Sequence, residues 1–279
     1  MVYSNSKTAK KLTFANLNKF KKEGRKFSMV TCYDYTFAKI IEKSDVDMIL
    51  VGDSLANVMM GEKSTLAATV DHIVHHCKSV SSGISSKLLI ADMPFLAAGV
   101  SRELTMKNVQ RLMAEGCAHG VKIEGAGERL KDIEMIVDFG VPVVGHLGLM
   151  PQKVHAHGGY KVQGKAKVSA DEIFEESKKV EKAGASVLVL EMVESGLAKK
   201  IAESLTIPVI GIGAGSSVDG QVLVLQDLLG MDADFNPKFL RKDMNLSEDI
   251  YKSLNHYHGD VVSGDFPNDS ESYIGKPKK

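Results

Sequence analysis

The sequence predicts an α/β protein of the (β/α)₈, or TIM, barrel class, and three observations favour this fold. The chain has 279 residues, close to the roughly 250 residues that are typical of one such barrel. Short apolar runs alternate with longer segments in which apolar residues recur every three or four positions, as expected of parallel strand–helix–strand units. Polar residues stand where the apolar runs end, which is where barrels of this class carry their chemistry.

Each predicted strand is short and nearly all apolar, which is typical of a strand that is covered on both faces. Seven runs meet this description: residues 27–32, 47–51, 87–91, 120–124, 142–145, 186–191 and 208–213. An eighth strand over residues 221–226 is expected to close the barrel, although only a short glycine-rich loop separates it from the seventh.

The segments between the strands have helical periodicity. The clearest predicted helices are residues 35–43, 69–82, 107–118, 126–139 and 170–183. Gly116, Gly140 and Gly184 stand near three of their ends, where a left-handed residue is favoured. The alternative fold is an open doubly wound sheet, but that fold favours a GxGxxG turn after the first strand, and residues 31–35 contain none.

Residues 1–258 are expected to form a single barrel domain with an N-terminal extension, and residues 259–279 a polar, loose C-terminal tail. Lys plus Arg and Asp plus Glu both total 35, so there is no electrostatic case for binding nucleic acid or an anionic membrane. We expect no membrane span and no secretory signal, because no apolar run is long enough. Three widely spaced cysteines favour reduced thiols and a cytoplasmic protein.

Ionisable residues stand at the ends of five successive predicted strands, from the second to the sixth. Each has an ordinary structural explanation: an acid can cap the next helix, Lys122 and Glu124 can form an ion pair, and a histidine can be a core residue. A buried charge costs several kcal/mol unless it is paired or bound to a metal. Because the ionisable residues stand at the ends of five successive strands, they predict a shared polar site. The residues concerned are Asp53, Asp92, Lys122, Glu124, His146 and Glu191.

Three carboxylates with one lysine favour a hard divalent cation such as Mg²⁺, which prefers oxygen ligands. Zinc would favour closely spaced Cys and His. Of two histidine clusters, the first has a spacing that can bind a metal, but no HExxH motif accompanies it, and we interpret both clusters as surface residues. They are His72, His75 and His76, and His155 with His157. The glycine-rich residues 211–215 fit either a phosphate-binding loop or a tight turn.

Several strings of residues, in chain order, resemble the ketopantoate hydroxymethyltransferase (3-methyl-2-oxobutanoate hydroxymethyltransferase) family. The resemblance covers residues 31–240, and its most specific strings are GYKVQG at 159–164 and the glycine-rich loop followed by DGQVLV at 219–224. The other strings are residues 52–55, 92–95, 122–125, 145–149 with 151–152, and 188–191.

The resemblance implies a barrel of the phosphoenolpyruvate/pyruvate type, a homodecamer and a magnesium-dependent enzyme. The implied reaction transfers a hydroxymethyl group from 5,10-methylenetetrahydrofolate to 3-methyl-2-oxobutanoate, the first step of pantothenate biosynthesis. Matched motif by motif, Glu191 corresponds to the catalytic base. The implied metal ligands are Asp53, Asp92 and Glu124, and the implied keto-acid contacts are Asp53, Ser54, Asp92, Lys122 and His146.

The chain departs from the family pattern at Ala56, Asn57, Ala126 and Met150, none of which is an implied ligand. One alternative function is a lyase or mutase of the same barrel superfamily that acts on another 2-oxo acid. Such an enzyme usually carries a loop cysteine as its acid, whereas Cys117 lies inside a predicted helix. A non-catalytic scaffold is the other alternative, and it would predict missing catalytic groups.

Overall fold

The computed structural model describes residues 11–157, 159, 161–273 and 275. Within them, eight parallel strands pair in sequence order, and β8 pairs with β1 to close a barrel. The strands are β1 Phe27–Thr31, β2 Met48–Val51, β3 Leu88–Asp92, β4 Gly120–Glu124, β5 Val143–Gly148, β6 Val187–Glu191, β7 Val209–Ile212 and β8 Gly220–Leu223. The predicted (β/α)₈ barrel is confirmed, and its eighth strand ends at Leu223 because a short helix begins at Leu225.

Helices follow the strands around the barrel. The α-helices are α1 Phe14–Lys22, α2 Tyr35–Glu42, α3 Leu55–Val58, α4 Val70–Ser81, α5 Arg102–Gln110, α6 Arg129–Asp138, α7 Val154–His157, α8 Lys167–Lys182, α9 Ser195–Ser204, α10 Leu225–Leu228 and α11 Leu246–Ser263. Short 3₁₀ turns occur at Thr65–Ala67, Pro151–Lys153 and Asp269–Glu271. Among the described residues, no helix is both long enough and apolar enough to span a membrane.

The predicted helix over residues 107–118 is the least accurate of the five. Its α-helical part, α5, starts earlier because the Ser101 side chain accepts a hydrogen bond from the Leu104 N–H and caps it. A π-helical turn, Arg111–Glu115, ends the segment, and Gly116 has an ordinary φ of −78°. Cys117, with a φ of 57°, takes the left-handed conformation instead. It therefore lies in the loop before β4, and the prediction that it lies inside a helix is wrong.

The barrel interior is filled by alternate side chains of the strands, as the two-residue strand period requires. This layer includes Leu50 of β2, Ile90 of β3, Val144 of β5 and Val189 of β6, all at most 7% exposed. The N-terminal extension contributes α1, whose buried Leu17 and Phe20 join the same cluster. Residues two positions beyond these apolar side chains face the same interior, at the ends where the strands finish.

The described residues form two compact units, one ending at Leu225 and the other beginning at Gln226. The first contains the whole barrel, whereas the predicted boundary at 258/259 falls inside α11. Residues 259–263 were expected to be loose, but they are the last residues of α11. A helix interior tolerates Gly259 at a cost of only about 1 kcal/mol. The helix ends at Gly264, whose φ of 82° is left-handed. The last part of the predicted tail, residues 274 and 276–279, lies outside the described residues.

Candidate active site

The strand register brings four of the predicted site residues together inside the barrel. Asp92 is the partner of Lys122 across β3 and β4, and Glu124 is the partner of His146 across β4 and β5. Asp92 is the last residue of β3, and His146 lies within β5, so both belong to strands and not, as predicted, to the positions after them. Paired residues of parallel strands point to the same face; hence the four side chains face one another.

The Lys122 ammonium lies among the acids. Its Nζ is 2.9 Å from Asp92 Oδ1 and 3.7 Å from Glu124 Oε1, and all three residues are buried. Burial by itself lowers the pKa of Lys122, but the charges of Asp92 and Glu124 outweigh it and raise that pKa. The lysine is therefore a fixed positive charge, which is the group needed beside a carboxylate or a developing enolate.

Asp53 and Asp92 form a close pair of carboxylate-bearing residues. The Asp53 N–H donates to Asp92 Oδ2 at 2.9 Å. Burial, followed by the negative charges of Asp92 and Glu124, raises the pKa of Asp53 well above its usual range. A Cβ at the preceding Gly52 would lie 3.0 Å from Ser54 Oγ and 3.2 Å from Asp92 Oδ2, so this turn has no room for a larger residue.

His146 connects this acid–lysine cluster with Glu191. Its Nδ1 lies 3.3 Å from Glu124 Oε1 and 3.2 Å from Lys122 Nζ, and its Nε2 lies 3.4 Å from Glu191 Oε2. Burial and the Lys122 charge lower the pKa of His146, but the two glutamates outweigh them and raise it to about 9. The two carboxylates thus stabilise the imidazolium form.

Glu191 ends β6, and its side chain is 20% exposed, compared with 2% for His146. Its main chain is held on both sides: the Leu149 N–H donates to the Glu191 carbonyl at 2.8 Å, and the Met192 N–H donates to the Ile212 carbonyl at 2.8 Å. Met192 has a φ of 47°, a strained value for a residue with a side chain. Glu191 is therefore a firmly held carboxylate that solvent or substrate can reach.

Residues 161–164 of the GYKVQG string hold the loop that follows Glu191. The Gln163 N–H donates to the Met192 carbonyl at 2.7 Å, and its carbonyl accepts from the Glu194 N–H at 3.0 Å. This string therefore contacts the segment after the predicted base through its backbone, although Gly158 and Tyr160 lie outside the described residues.

Sequence reasoning gave no role to two residues that contact the site, Tyr33 and Gln152. The Tyr33 hydroxyl lies 2.8 Å from Ser54 Oγ, and burial raises the pKa of Tyr33, so its hydroxyl stays protonated. The Gln152 amide donates to Asp53 Oδ2 at 2.9 Å. The signal for both was their place just after a strand, β1 and β5 respectively, but neither residue is ionised at neutral pH.

The donor set at these strand ends consists of carboxylate oxygens, which fits a hard cation such as Mg²⁺. Burial raises the pKa of Asp53, and the negative charges of Asp92 and Glu124 raise it further, so a bound cation would stabilise the ionised acids. In the described ranges, no three His, Cys, Asp or Glu side chains are grouped so as to hold a metal ion by themselves. A cation here would accordingly complete its coordination with water or substrate oxygens.

The other predicted candidates have structural contacts of their own. His72 Nδ1 accepts from the Thr69 N–H at the start of α4, and His76 Nδ1 lies 2.6 Å from the Tyr33 carbonyl oxygen. In the glycine-rich loop, a Cβ at Gly215 would lie 2.7 Å from Ser195 Cβ, as expected of a tight turn with close packing. Cys117, before β4, lies at the barrel end opposite to the site.

Solved structures of several enzymes have the same fold. A phosphonopyruvate hydrolase superposes with a TM-score of 0.62 at 14% identity, covering 92% of both chains. The phosphoenolpyruvate phosphomutase of Streptomyces platensis subsp. rosaceus gives a TM-score of 0.60 at 15% identity over 91% of this chain and 88% of its own. A 2,3-dimethylmalate lyase, described as a PEP mutase/isocitrate lyase superfamily member, gives 0.56 at 14% identity over 90% and 98%. At these identities the likeness shows the fold alone, and it agrees with the (β/α)₈ barrel described above.

Sequence comparison supplies the family. Residues 11–269 match the family model of ketopantoate hydroxymethyltransferase. The 3-methyl-2-oxobutanoate hydroxymethyltransferase of Clostridium botulinum (strain Alaska E43 / Type E3) is 47% identical over 94% of this chain and 96% of its own length. The enzyme of the same name from Flavobacterium johnsoniae is 45% identical over 96% and 98%. The predicted resemblance and enzyme class are confirmed, and the chain belongs to the ketopantoate hydroxymethyltransferase family.

Proposed function

We propose that this chain transfers a hydroxymethyl group from 5,10-methylenetetrahydrofolate to 3-methyl-2-oxobutanoate, the first step of pantothenate biosynthesis. The products are 2-dehydropantoate and tetrahydrofolate, with the hydroxyl oxygen supplied by water. Family membership supports the reaction. The observation that carries it is the position of His146, within 3.4 Å of both Glu124 and Glu191, because it brings a base and a charged acid–lysine cluster to one pocket.

In this proposal Glu191 accepts the C3 proton of the keto acid. It is the one predicted site acid with substantial side-chain exposure, 20%, so a substrate can reach it. Lys122 stabilises the negative charge that then develops on the substrate oxygens, since its own charge is fixed before the reaction begins. Water adds to the methylene carbon of the folate and both of its C–N bonds break, which leaves tetrahydrofolate and a one-carbon unit at the oxidation level of formaldehyde. The carbon nucleophile adds to that carbon, so that a carbon–carbon bond forms as the C=O π bond breaks, and the resulting alkoxide takes up the proton held by Glu191 and becomes the hydroxyl group.

Ser54 is proposed to bind the carboxylate of the keto acid. Tyr33 orients the Ser54 side chain, because the hydroxyl oxygens of the two residues lie 2.8 Å apart and Tyr33 is only 1% exposed. The buried Tyr33 hydroxyl either accepts a hydrogen bond from Ser54 or donates one to it. In both cases this bond restricts the directions in which the serine hydroxyl can point.

Asp53 and Asp92 are the residues that would hold Mg²⁺, with Glu124 as the third acid of the site. A bound divalent cation supplies Lewis acidity toward the 2-oxo group. Both oxygens of Glu124 already have close partners, His146 Nδ1 at 3.3 Å and the Gln152 N–H at 3.2 Å. Both oxygens of Asp92 have partners as well, Lys122 Nζ and the Asp53 N–H. Mg²⁺ usually takes only one or two protein carboxylates directly, so one of the three acids, which we assign as Glu124, would contact the ion through a water molecule.

We also propose that the chain acts in the cytoplasm and as a homodecamer, the assembly implied by the family resemblance. A formal net charge of zero offers little electrostatic repulsion between copies. Multi-angle light scattering at micromolar concentration should give a mass near ten chains, and a monomer mass would overturn this part of the proposal.

The test of the function is formation of 2-dehydropantoate from 3-methyl-2-oxobutanoate and 5,10-methylenetetrahydrofolate, with Mg²⁺ or with excess chelator. We expect product only with both substrates and the metal, and strong losses in Asp53→Ala and Asp92→Ala. Asp171→Ala, on the exposed side of α8, is the matched control. Absence of product under all conditions would overturn the reaction, and full activity in chelator would overturn the metal.

A further inference from the structure

Gln152 lies at the centre of the loops that carry the site acids. It belongs to the 3₁₀ turn Pro151–Lys153 after β5 and is partly buried. Its side-chain nitrogen donates to Asp53 Oδ2 at 2.9 Å and to the Met93 carbonyl at 3.0 Å, and its backbone N–H donates to Glu124 Oε2 at 3.2 Å. One residue therefore joins the ends of four consecutive strands, β2 to β5.

The orientation of the Gln152 amide follows from its partners. The Met93 carbonyl oxygen can only accept a hydrogen bond, so the NH₂ end of the amide must face it, and Asp53 Oδ2 lies at that same end. The two N–H groups of that end are thereby matched with two acceptors. Because the Met93 carbonyl is main chain that follows β3, the amide is anchored to the barrel and holds the Asp53 carboxylate from there.

The neutrality of this group distinguishes it from Lys122. The lysine pairs with Asp92 and Glu124 and offsets part of their charge. An amide fixes the direction of the Asp53 carboxylate without cancelling its charge, which leaves that charge available to a cation. Groups that orient metal-binding carboxylates are typically worth 10–100-fold in affinity.

We infer that Gln152 is a positioning residue that orients Asp53 and Glu124 for metal-supported binding of the keto acid. The inference rests on the proposed function, because it assigns Gln152 to the site of that reaction. Gln152 itself is not a catalytic residue, since its contacts are with the acids and with main chain.

The test uses Gln152→Met, which keeps the length and approximate volume of the side chain but removes both donors, and calorimetric titration of 3-methyl-2-oxobutanoate in Mg²⁺. We expect the Kd to rise about 10–100-fold. Gln110→Met, an exposed position at the end of α5, should bind like wild type. Urea denaturation in chelator is the second readout, because a merely structural role would lower the unfolding midpoint and leave the Kd of the folded protein unchanged.

If Gln152→Met does not fold, Gln152→Asn serves instead, since its shorter amide cannot reach both Asp53 and Met93. An unchanged Kd in the folded variant, with wild type binding normally, would overturn the positioning role alone. Failure of wild type itself to bind the keto acid with Mg²⁺ would overturn the proposed function, and the role of Gln152 with it.

Discussion

The Nε2 atom of His146 lies 3.4 Å from Oε2 of Glu191, although the two residues belong to different strands. His146 is paired with Val189, the inward-facing residue two positions before Glu191. The imidazole is buried and its pKa is raised to about 9, so it faces the Glu191 carboxylate as a positive group at neutral pH. This contact places a positive group beside the Glu191 carboxylate, the residue proposed as the general base.

Glu191→Gln keeps the size of the side chain but cannot accept a proton. General-base catalysis contributes roughly 10²–10⁴-fold, so we expect turnover to fall by about that factor with little change in keto-acid binding. Exchange of the C3 proton of 3-methyl-2-oxobutanoate with solvent, followed by NMR without folate, isolates this step from the transfer. Glu203→Gln, an exposed position on α9, is the control. Exchange at the wild-type rate would exclude Glu191 as the base.

Lys122→Met should strongly destabilise the protein in chelator, because Asp92 and Glu124 then remain buried without their cation. Breaking a buried pair typically costs about 3–5 kcal/mol of unfolding free energy. The double variant Lys122→Met/Asp92→Asn should lose less than the sum of the two single changes, since it removes both partners. Urea denaturation of the four proteins measures this coupling, and strictly additive losses would contradict it.

Gly148→Ala tests the close approach between β5 and the loop after Glu191. Gly148 has a φ of 94°, and a Cβ there would overlap the Glu191 carbonyl oxygen. Gly140 has a similar φ of 82° with nothing within 4 Å, so Gly140→Ala carries the backbone strain alone. We expect Gly148→Ala to cost about 1–3 kcal/mol more than its control and to slow C3 proton exchange. Equal losses in the two variants would show that the contact is unimportant.

Asp227→Asn should change how stability depends on pH. Burial, then the charge of Asp232, raises the pKa of Asp227 from 3.8 to about 6 despite the opposing charge of Lys242. The folded protein thus binds this proton more tightly than the unfolded chain, so ionisation of Asp227 lowers the free energy of unfolding. This loss of stability is absent below pH 4, grows between pH 4 and 6, and is complete above pH 6.

Relative to wild type, Asp227→Asn should therefore gain stability as pH rises from 4 to 7. A gain of about 1 kcal/mol is expected, because solvent screens a half-exposed carboxylate. Thermal denaturation across this range measures it, with Asp234→Asn, an exposed position in the same unit, as control. A difference that does not vary with pH would exclude Asp227 as its source.

The sequence by itself determined the strand and helix order of the barrel and the strand ends that carry charge. Both follow from local patterns: an inward position recurs every second residue, so Ile90 predicts that Asp92 shares its face, and Val189 does the same for Glu191. The helical end of the predicted tail was missed, since whether a helix continues through Gly259 depends on a balance of about 1 kcal/mol. The sequence placed Cys117 inside a helix because the left-handed residue was expected at Gly116, whereas the structure has it one position later, at Cys117 itself.

Only the tertiary structure decided which polar groups touch. Gln152 donates to Asp53 across 99 residues of chain. Tyr33, which follows β1, contacts Ser54, which follows β2, with helix α2 between them in the chain. Neither residue differs in local pattern from an ordinary loop or strand-end residue. Their roles arise from the shear and closure of eight strands, which set the few ångströms between side chains that a hydrogen bond requires. The reach of His146 to both Glu124 and Glu191 has the same origin, because register across β4, β5 and β6 is a property of the closed sheet.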